Sequence, residues 1–232
     1  HNSPRINFSV RRGEILGLSG MVGSGRTEIV RAISGADPCH HMEVLVNGKK
    51  VTIRNPRDSI AAGIAHITED RQRLGLNLGM SVLENTLLVS LQSKSTGSGV
   101  FYNLRAQVPG AEKIVQELRI KTPNLAQEVV YLSGGNQQKV VLGKWLHAQQ
   151  SVYIFDEPTR GIDVGAKYEI YTIMLDLVKA GKSIIMISSE MPELLGMADR
   201  VMVMCEGRVT GFLEKDQFDQ VEVMRLATQF MK

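Results

Sequence analysis

The stretch from Gly20 to Thr27 is rich in glycine and hydroxyl side chains, and it lies between an apolar run and a helical pattern. Glycines let backbone amides curl around an anion, and a following helix contributes its N-terminal amides and its dipole. The spacing of Gly20, Gly25 and Thr27 predicts a phosphate-binding loop in which the threonine hydroxyl binds Mg²⁺. The candidate phosphate ligands are Gly20, Gly23, Ser24, Gly25, Arg26 and Thr27.

Arg26 departs from this phosphate-binding pattern, which has lysine at the same position. Lysine presents a compact charge on a flexible stem, whereas the guanidinium is larger and planar and needs room for its fork of donors. We therefore expect nucleotide binding at this loop to be weaker or altered.

An apolar run at residues 152–155 ends in two adjacent carboxylates, Asp156 and Glu157. Acids at the tip of a buried strand are costly unless they meet a metal ion or water. We expect Asp156 to hold Mg²⁺ through its water shell, and Glu157 to orient or deprotonate the water that attacks a γ-phosphate. The alternative is a solvated pair of loop carboxylates, which is less favoured because a phosphate-binding loop lies upstream.

Ser133, Gly134 and Gly135 precede a helical pattern that runs to residue 147. A hydroxyl, unpaired backbone amides and a helix dipole at one place form a second candidate anion site. Alone, this pattern is typical of an ordinary helix N-cap. Its position between the glycine loop and Asp156 makes the combination of three motifs specific.

The elements that must position these residues alternate along the chain between strand and helix patterns. Apolar and β-branched runs predict strands at residues 6–10, 14–19, 44–46, 51–53, 64–68, 152–155, 183–187 and 201–204. Helices are predicted at residues 26–34, from 56 to near 63, at 165–179 and at 192–198. Residues 81–147 are largely helical, with a mobile loop expected at 92–99. The alternation favours a mainly parallel sheet with helices on its faces.

The composition is that of an ordinary globular protein. The 232 residues are 43% hydrophobic and 22% charged, and 27 Lys and Arg against 24 Asp and Glu give a formal net charge of +3. This small excess, without a long basic run, favours a solvated surface over a nucleic-acid partner. No apolar run approaches the ~20 residues of a membrane span. Cys39 and Cys205 suit buried thiols in a reducing cytosol.

The order of these motifs resembles that of the ATP-binding cassette ATPases over essentially the whole chain. Residues 132–138 resemble the signature motif of that family, Asp156 and Glu157 its Walker B pair, and Asp163 its D-loop aspartate. The resemblance implies an α/β P-loop NTPase with a RecA-like core sheet, a small antiparallel β region and a helical subdomain. It also implies that residues 1–232 form a single nucleotide-binding domain, with the helical subdomain at about 81–147.

A narrower resemblance is to the second, C-terminal cassette of bacterial monosaccharide importers of the ribose, galactose and xylose type. It rests on segments at residues 25–28, 68–71, 132–139 and 187–190. The resemblance implies an ATP hydrolase that uses ATP and Mg²⁺, and it adds Glu28 to the nucleotide-binding set. It gives the signature residues a role at the nucleotide of a partner cassette; these are Ser133, Gly134, Gly135 and Gln137.

The same resemblance implies partners and a location for the chain. The partners are the first cassette of the same polypeptide, an integral membrane permease and, indirectly, a sugar-binding protein, with no nucleic acid among them. The location is cytoplasmic, peripheral on the inner face of the cell membrane.

Two further residues depart from the resembled family. Glu69 stands where the family has a glutamine that senses Mg²⁺ and the permease, and Ser189 stands where it has a switch histidine. A serine hydroxyl has no titrating nitrogen, and a carboxylate adds negative charge near phosphate unless a metal screens it. With Arg26, these differences predict a site that binds nucleotide but hydrolyses it poorly, while the signature serves the partner cassette. The resemblance assigns Thr27, Glu69 and Asp156 to the metal, and Glu157 and Ser189 to catalysis.

Other interpretations stay open at the level of sequence. The altered site also suits a regulatory cassette that binds nucleotide without significant hydrolysis, although Thr27 and Glu157 are intact. A cassette ATPase that acts on nucleic acid would need a long basic or coiled-coil insertion, and residues 81–133 are too short and too weakly basic for one. Residues 80–85, which include Asn85, match the permease-facing region of the family. They equally suit an amphipathic helix that packs Val82 and Leu83 on the core.

Overall fold

The structure, a computed structural model, describes residues 6–39, 41–94 and 104–231. Within these ranges the strands are β1 (Ile15–Gly20), β2 (Val44–Val46), β3 (Lys49–Val51), β4 (Ile64–Ile67), β5 (Val152–Asp156), β6 (Ser183–Ile187), β7 (Arg200–Cys205) and β8 (Arg208–Glu214). The α-helices are α1 (Arg26–Ile33), α2 (Pro56–Ala61), α3 (Val82–Lys94), α4 (Leu104–Glu117), α5 (Gly134–His147), α6 (Val164–Lys179), α7 (Met191–Met197) and α8 (Gln220–Ala227). A π-helical turn lies at Arg71–Gly75, and 3₁₀ turns lie at Val129–Tyr131 and Lys215–Gln217.

The main sheet has six strands in the order β4-β5-β6-β1-β7-β8. All neighbours pair in parallel except β7 and β8, and β2 and β3 form a separate antiparallel hairpin. This arrangement confirms the predicted α/β fold with a mainly parallel sheet and a small antiparallel region.

Side chains along the central strands alternate between two hydrophobic cores on opposite faces of the sheet. On β1, Ile15 belongs to one core and Leu16 to the other, and on β5 the same alternation separates Phe155 from Ile154. This two-sided burial explains why the strands are apolar runs rather than alternating sequences. Since parallel strands end at one edge, the segments that follow β1, β4, β5 and β6 come together there.

Residues 81–147 are mostly helical, as the sequence predicts, and α3 packs on α5. Helix α3 continues to Lys94, so the first part of the loop predicted at 92–99 is helical, and residues 95–99 lie outside the described residues. In this part of the chain, Asn85 is completely buried and its carboxamide bonds the backbone of Asn77 and Ser81. Val82 is also buried and Leu83 partly so. Asn85 therefore serves local packing, whereas a docking role of the exposed residues nearby stays a prediction.

The strand predicted at residues 6–10 is wrong. The segment has the alternation of a strand, and Ile6, Phe8 and Val10 pack against the second core, but it joins no ladder. Both edges of the following strand, β1, are already filled by β6 and β7, so the segment finds no partner there.

The strand predicted at residues 51–53 is shifted. Asn47 and Gly48 both have positive φ, at 51° and 74°, which closes a two-residue turn. Pairing therefore begins at Lys49, directly after the turn, and β3 ends at Val51.

Strand β8 and helix α8 were not predicted from the sequence. A two-residue turn, Glu206–Gly207, with positive φ at both positions, joins β7 to β8 and is the signal that could have predicted the hairpin. Helix α8 buries Val223 and Leu226, and its signal is the N-cap Asp219, whose side chain accepts from the Val221 amide.

The expectation that both cysteines are buried is half wrong. Cys205 is buried on β7, but Cys39 is exposed. No helix of the described ranges is long and apolar enough to cross a membrane.

Candidate functional site

The glycine loop turns sharply between β1 and α1. Gly20 has a φ of 152°, and a Cβ added there would lie 2.4 Å from the carbonyl oxygen of Met204, so no other residue fits. Gly25, with a φ of 98°, directly precedes α1 and leaves the first amides of the helix without a side-chain cap. The loop thus presents unpaired amides at a helix N-terminus, as a phosphate site requires.

Arg26 lies between the glycine loop and the carboxyl ends of β5 and β6. Its Nη1 atom donates a hydrogen bond to the carbonyl oxygen of Ser188 at 3.4 Å. Burial lowers the pKa of the guanidinium, while the carboxylates of Glu157 and Asp156 oppose this change. The arginine is therefore held toward the two acids and toward the segment after β6, rather than free above the loop.

Asp156 ends β5 in a buried position, with 2% of its surface exposed. Burial raises the pKa of this carboxyl to about 6, and the negative charge of Glu157 adds to the rise. Its Oδ1 atom has no hydrogen-bond partner in the described part of the chain. A buried, unpaired carboxylate oxygen is what a cation or its bound water would satisfy, so Asp156 suits the predicted metal role.

A cavity of about 480 Å³ opens beside Asp156 and is lined by Thr27, Glu69 and six other residues: Arg31, His66, Thr68, Asp70, Arg73 and Leu74. It brings together Thr27, Glu69 and Asp156, the three residues predicted to bind the metal. Among the described residues, no group of three or more His, Cys, Asp and Glu could hold a metal ion. This donor set fits Mg²⁺ bound jointly by protein and nucleotide phosphates, since Mg²⁺ uses few protein ligands and keeps several waters.

His66 is a member of this site that the sequence did not reveal. The Ser34 hydroxyl donates to the Arg31 carbonyl oxygen, so it accepts the proton of His66 Nδ1 at 2.9 Å. Nε2 then carries a lone pair, has no partner in the described residues, and lies 4.0 Å from Asp156 Oδ2. Burial and the charge of Arg31 lower the pKa of His66 to about 4, so the ring is neutral at neutral pH. Only the pairing of β4 with β5 places it here.

Glu157 directly follows β5 with a left-handed backbone, at a φ of 49°. Its amide donates to the Ile187 carbonyl oxygen at 3.0 Å, which ties it to the end of β6. The Ser189 hydroxyl donates to Glu157 Oε2 at 3.1 Å. The two residues predicted to carry catalysis are thus in direct contact, and Glu157 holds a strained backbone conformation there.

Glu69 lines the cavity but has a partner of its own. Its carboxylate forms an ion pair with the guanidinium of Arg160 in the loop after β5. The predicted metal role of Glu69 therefore competes with this ion pair.

The signature residues are not among those that line the cavity. Ser133 is exposed and caps α5, where its hydroxyl accepts from the Asn136 amide at 3.5 Å and from Asn136 Nδ2 at 3.0 Å. Gly135 is buried against α6, since an added Cβ would lie 2.9 Å from the Cβ of Ala166. Asp163 caps α6 by accepting from the Ala166 amide at 2.9 Å. The signature and D-loop segments thus meet at a surface separate from the cavity.

Gln137, also predicted to face a partner nucleotide, is buried with 3% of its surface exposed. Its Nε2 donates to the Val129 carbonyl oxygen, and its Oε1 accepts from Gln72. Its carboxamide is therefore engaged inside its own chain. Glu28, on the first turn of α1, is exposed.

The fold and the site define the class of this protein. A glycine loop between β1 and α1, together with two carboxylates at the end of a neighbouring parallel strand, belongs to P-loop nucleotide-binding domains. More narrowly, the chain belongs to the ABC transporter family, whose family model matches residues 4–160.

Curated relatives support this placement. The chain is 50% identical over 224 residues to a Burkholderia ambifaria protein named as a ribose/galactose/methyl galactoside import ATP-binding protein. It is 51% identical over 223 residues to the ribose import ATP-binding protein RbsA 1 of Rubrobacter xylanophilus. These matches cover 97% and 96% of this chain but 44% of each relative. The chain therefore spans less than half the length of the curated relatives it matches.

Solved structures share the fold at low sequence identity. The ADP conformation of an ATP-binding cassette of an ABC transporter aligns with a TM-score of 0.76 at 22% identity, and covers 97% of this chain and 88% of that one. A dimeric post-hydrolysis cassette bound to ADP and Pi aligns with a TM-score of 0.75 at 18% identity, with 92% and 90% coverage.

Proposed function

We propose that this chain is the C-terminal cassette of an ATP-binding subunit that drives monosaccharide import through a membrane permease. It would act peripherally on the cytoplasmic face of the membrane, beside a first cassette on the same polypeptide. The names of the relatives, and the 44% of their length that the chain spans, support a two-cassette subunit for sugar import.

One observation carries the proposal: the glycine loop, Asp156, Glu157 and Ser189 converge at one edge of the sheet, where buried polar atoms lack partners. In the described residues these atoms include Ser24 Oγ in the loop and Asp156 Oδ1. Unpaired buried groups are costly, and they suit a site that is completed by a polar ligand. A nucleotide triphosphate with Mg²⁺ supplies both the anion for the loop and the cation for Asp156.

Different residues of the chain have different roles in ATP hydrolysis. The loop amides and the N-terminus of α1 bind the phosphates, and Thr27 and Asp156 would hold Mg²⁺, which supplies charge neutralisation at the phosphates. Glu157 orients the attacking water and accepts its proton at the carboxylate. Ser189 holds one oxygen of that carboxylate through its hydroxyl.

We further propose that this nucleotide site is impaired and that the signature serves the partner cassette. Arg26 is turned toward the Ser188 carbonyl oxygen, and Glu69 is paired with Arg160 rather than available to a metal. Ser133 is exposed at a different surface, directly before α5, where its hydroxyl can meet a nucleotide bound to another cassette.

The test compares steady-state ATP turnover by the chain alone with turnover by the two-cassette polypeptide. We expect slow turnover by the chain alone, and a loss of turnover in the polypeptide when Ser133→Ala removes the signature hydroxyl. Turnover by the chain alone that matches the polypeptide, and that Glu157→Gln abolishes, would contradict the impaired-site proposal.

A regulatory cassette that binds nucleotide without significant hydrolysis is the second candidate. The Glu69–Arg160 pair favours it, because the pair withdraws a potential metal ligand from the cavity. The discriminating variant is Glu157→Gln in the polypeptide: unchanged ATP turnover and sugar uptake support the regulatory role, whereas a loss of either supports hydrolysis at this site.

A further inference from the structure

Glu193 on α7 lies at a buried junction between two segments of the candidate site. The Thr159 hydroxyl donates to its Oε1 atom at 2.7 Å, and the Ser188 hydroxyl donates to its Oε2 atom. Thr159 and Ser188 are almost fully buried, with 2% and 3% of their surfaces exposed, and Glu193 has 9% exposed. Both carboxylate oxygens are therefore occupied by hydroxyls from different segments.

The two hydroxyls belong to segments that carry functional groups. Thr159 begins the segment 159–163, which leads to Asp163 and the surface shared with the signature. Ser188 begins the segment 188–190, where its carbonyl oxygen accepts from Arg26 and the next residue, Ser189, donates to Glu157. Glu193 thus joins the surface proposed to meet a second cassette with the groups proposed to act on nucleotide.

Within the described residues, no direct hydrogen bond joins segment 159–163 to segment 188–190. Strands β5 and β6 pair as far as Asp156 and Ile187, and one further bond runs from the Glu157 amide to Ile187. Beyond that point, Ser189 donates to Glu157 Oε2 and the Arg160 amide donates to the Glu157 carbonyl oxygen. Glu193 accepts directly from a residue of each segment. Burial of the Tyr171 hydroxyl and the charge of Glu193 raise the pKa of Tyr171 to about 12, so the same carboxylate also faces α6.

We propose that Glu193 is a positioning residue that couples segment 159–163 to segment 188–190. This inference rests on the proposed function: a second cassette that displaces segment 159–163 would move Ser189 and the Glu157 carboxylate along with it. The coupling is stiff because both bonds are buried, and breaking either one removes a hydroxyl donor from a buried carboxylate.

Amide hydrogen exchange on the whole chain tests the coupling from both sides. Thr159→Val removes one hydroxyl and should speed exchange at 188–190 by about fivefold, and Ser188→Ala should do the same at 159–163. The matched controls are Thr172→Val and Ser59→Ala, whose hydroxyls bond only within their own helices. Faster exchange confined to the mutated segment in both variants would overturn the proposal.

Glu193→Gln separates positioning from simple packing. It keeps the size of the side chain but replaces one acceptor oxygen with a donor, so exchange should rise in both segments while the amides of β5 and β6 stay protected. If Glu193→Gln leaves both segments as protected as in the wild type, then only the volume of the residue matters and the proposal is wrong.

Mg²⁺ and ATP added to the wild-type chain distinguish this inference from the proposed function. They should slow exchange at both segments in the wild type, but only at 188–190 in Glu193→Ala. If amide exchange in the wild type does not slow, nucleotide binding is contradicted. The comparison of the variants without nucleotide would still show whether Glu193 couples the two segments.

Discussion

The carboxylate of Glu69, which lines the cavity beside Asp156, forms an ion pair with the guanidinium of Arg160. The contact is reinforced from the other direction, since Arg71 Nη1 donates to the Arg160 carbonyl oxygen at 3.1 Å. These two contacts connect the loop after β4 with the loop after β5. Glu69 can bind a metal only if its ion pair with Arg160 breaks.

Arg160→Met should strengthen Mg²⁺ binding to the chain with ATP by roughly fivefold, because it frees Glu69 and removes a competing positive charge. Both side chains are substantially exposed, so the free energy of unfolding should change by less than about 1 kcal/mol. Calorimetric titration of Mg²⁺ into the chain with ATP measures the first effect, and urea denaturation measures the second.

Lys50→Met is the control, since it breaks an exposed ion pair with Glu43 on the hairpin. It should leave Mg²⁺ affinity unchanged. Unchanged or weaker Mg²⁺ binding in Arg160→Met would show that Glu69 does not act at the metal.

Arg26→Lys should tighten ATP binding by about tenfold, which corresponds to about 1.4 kcal/mol. The lysine ammonium would lose the bond to the Ser188 carbonyl oxygen and reach the phosphates as a compact charge. Combined with Ser189→His, it should also raise ATP turnover by the chain, and binding is measured by displacement of a fluorescent ATP analogue.

Arg57→Lys, at an exposed position of α2, makes the same exchange away from the site and should change neither quantity. Two results count against an impaired site: tight Mg²⁺-dependent ATP binding by the wild-type chain, and no gain from the combined variant.

Gly135→Ala should lower the free energy of unfolding by about 1–3 kcal/mol, because its Cβ would meet the Ala166 Cβ at 2.9 Å and push α5 away from α6. Turnover by the two-cassette polypeptide should also fall, since the displaced N-terminus of α5 no longer meets the partner nucleotide. Thermal unfolding and ATPase measurements check the two effects separately.

Gly196→Ala on α7 is the matched control, because nothing lies within 4 Å of its added Cβ. It should be neutral or stabilising by up to about 1 kcal/mol, since alanine favours the helix. A Gly135→Ala variant as stable and active as this control would remove the signature from the proposed mechanism.

Lys144 predicts a pH dependence of stability. Burial lowers its pKa to about 8, from an ordinary value of 10.5. Between these values the unfolded chain binds the proton more strongly than the folded chain, so this residue makes stability rise as the pH rises from 8 to 10.5. The full rise is of the order of 3 kcal/mol at most.

Lys144→Met removes the titrating group at nearly equal size and should flatten this rise, as measured by urea denaturation at several pH values. The variant also loses the bond from Nζ to the Gly75 carbonyl oxygen at 2.5 Å, so the slope of stability against pH, rather than its absolute value, is the quantity to compare. A rise as steep as in the wild type would mean that Lys144 keeps an ordinary pKa in the folded chain.

Local patterns in the sequence predict most of the elements near the site. Strand β6 coincides with its prediction at residues 183–187, and β1, β4, β5, β7, α1 and α6 lie within one or two residues of theirs. The strands among them are apolar runs that are buried on both faces of the sheet, and the helices have apolar residues at helical spacing. The local sequence pattern and the tertiary structure therefore favour the same element. The segment 6–10 shows the opposite case. Its apolar and polar residues alternate as in a strand, but both edges of β1 are already paired, so the segment has no strand to pair with.

The residues of the sequence motifs lie close together because the carboxyl ends of parallel strands meet at one edge of the sheet. The glycine loop, Asp156 and Glu157 could be placed at one edge of a sheet from their order alone. His66, Arg160 and Glu193 could not, because their functional contacts depend on which strands are neighbours and how far each loop extends. Glu193 makes its contacts with residues 34 and 5 positions away in the chain.

The sequence by itself determined the class of chemistry: glycine spacing, a hydroxyl and paired carboxylates are dictated by the geometry of phosphate and Mg²⁺, so they can be identified without coordinates. Only the tertiary structure decided which partners those groups have. Arg26 faces Ser188, Glu69 is paired with Arg160, and Ser189 holds Glu157. Such contacts arise between loops at the ends of different strands, and the order of those strands is a property of the whole sheet rather than of any one segment.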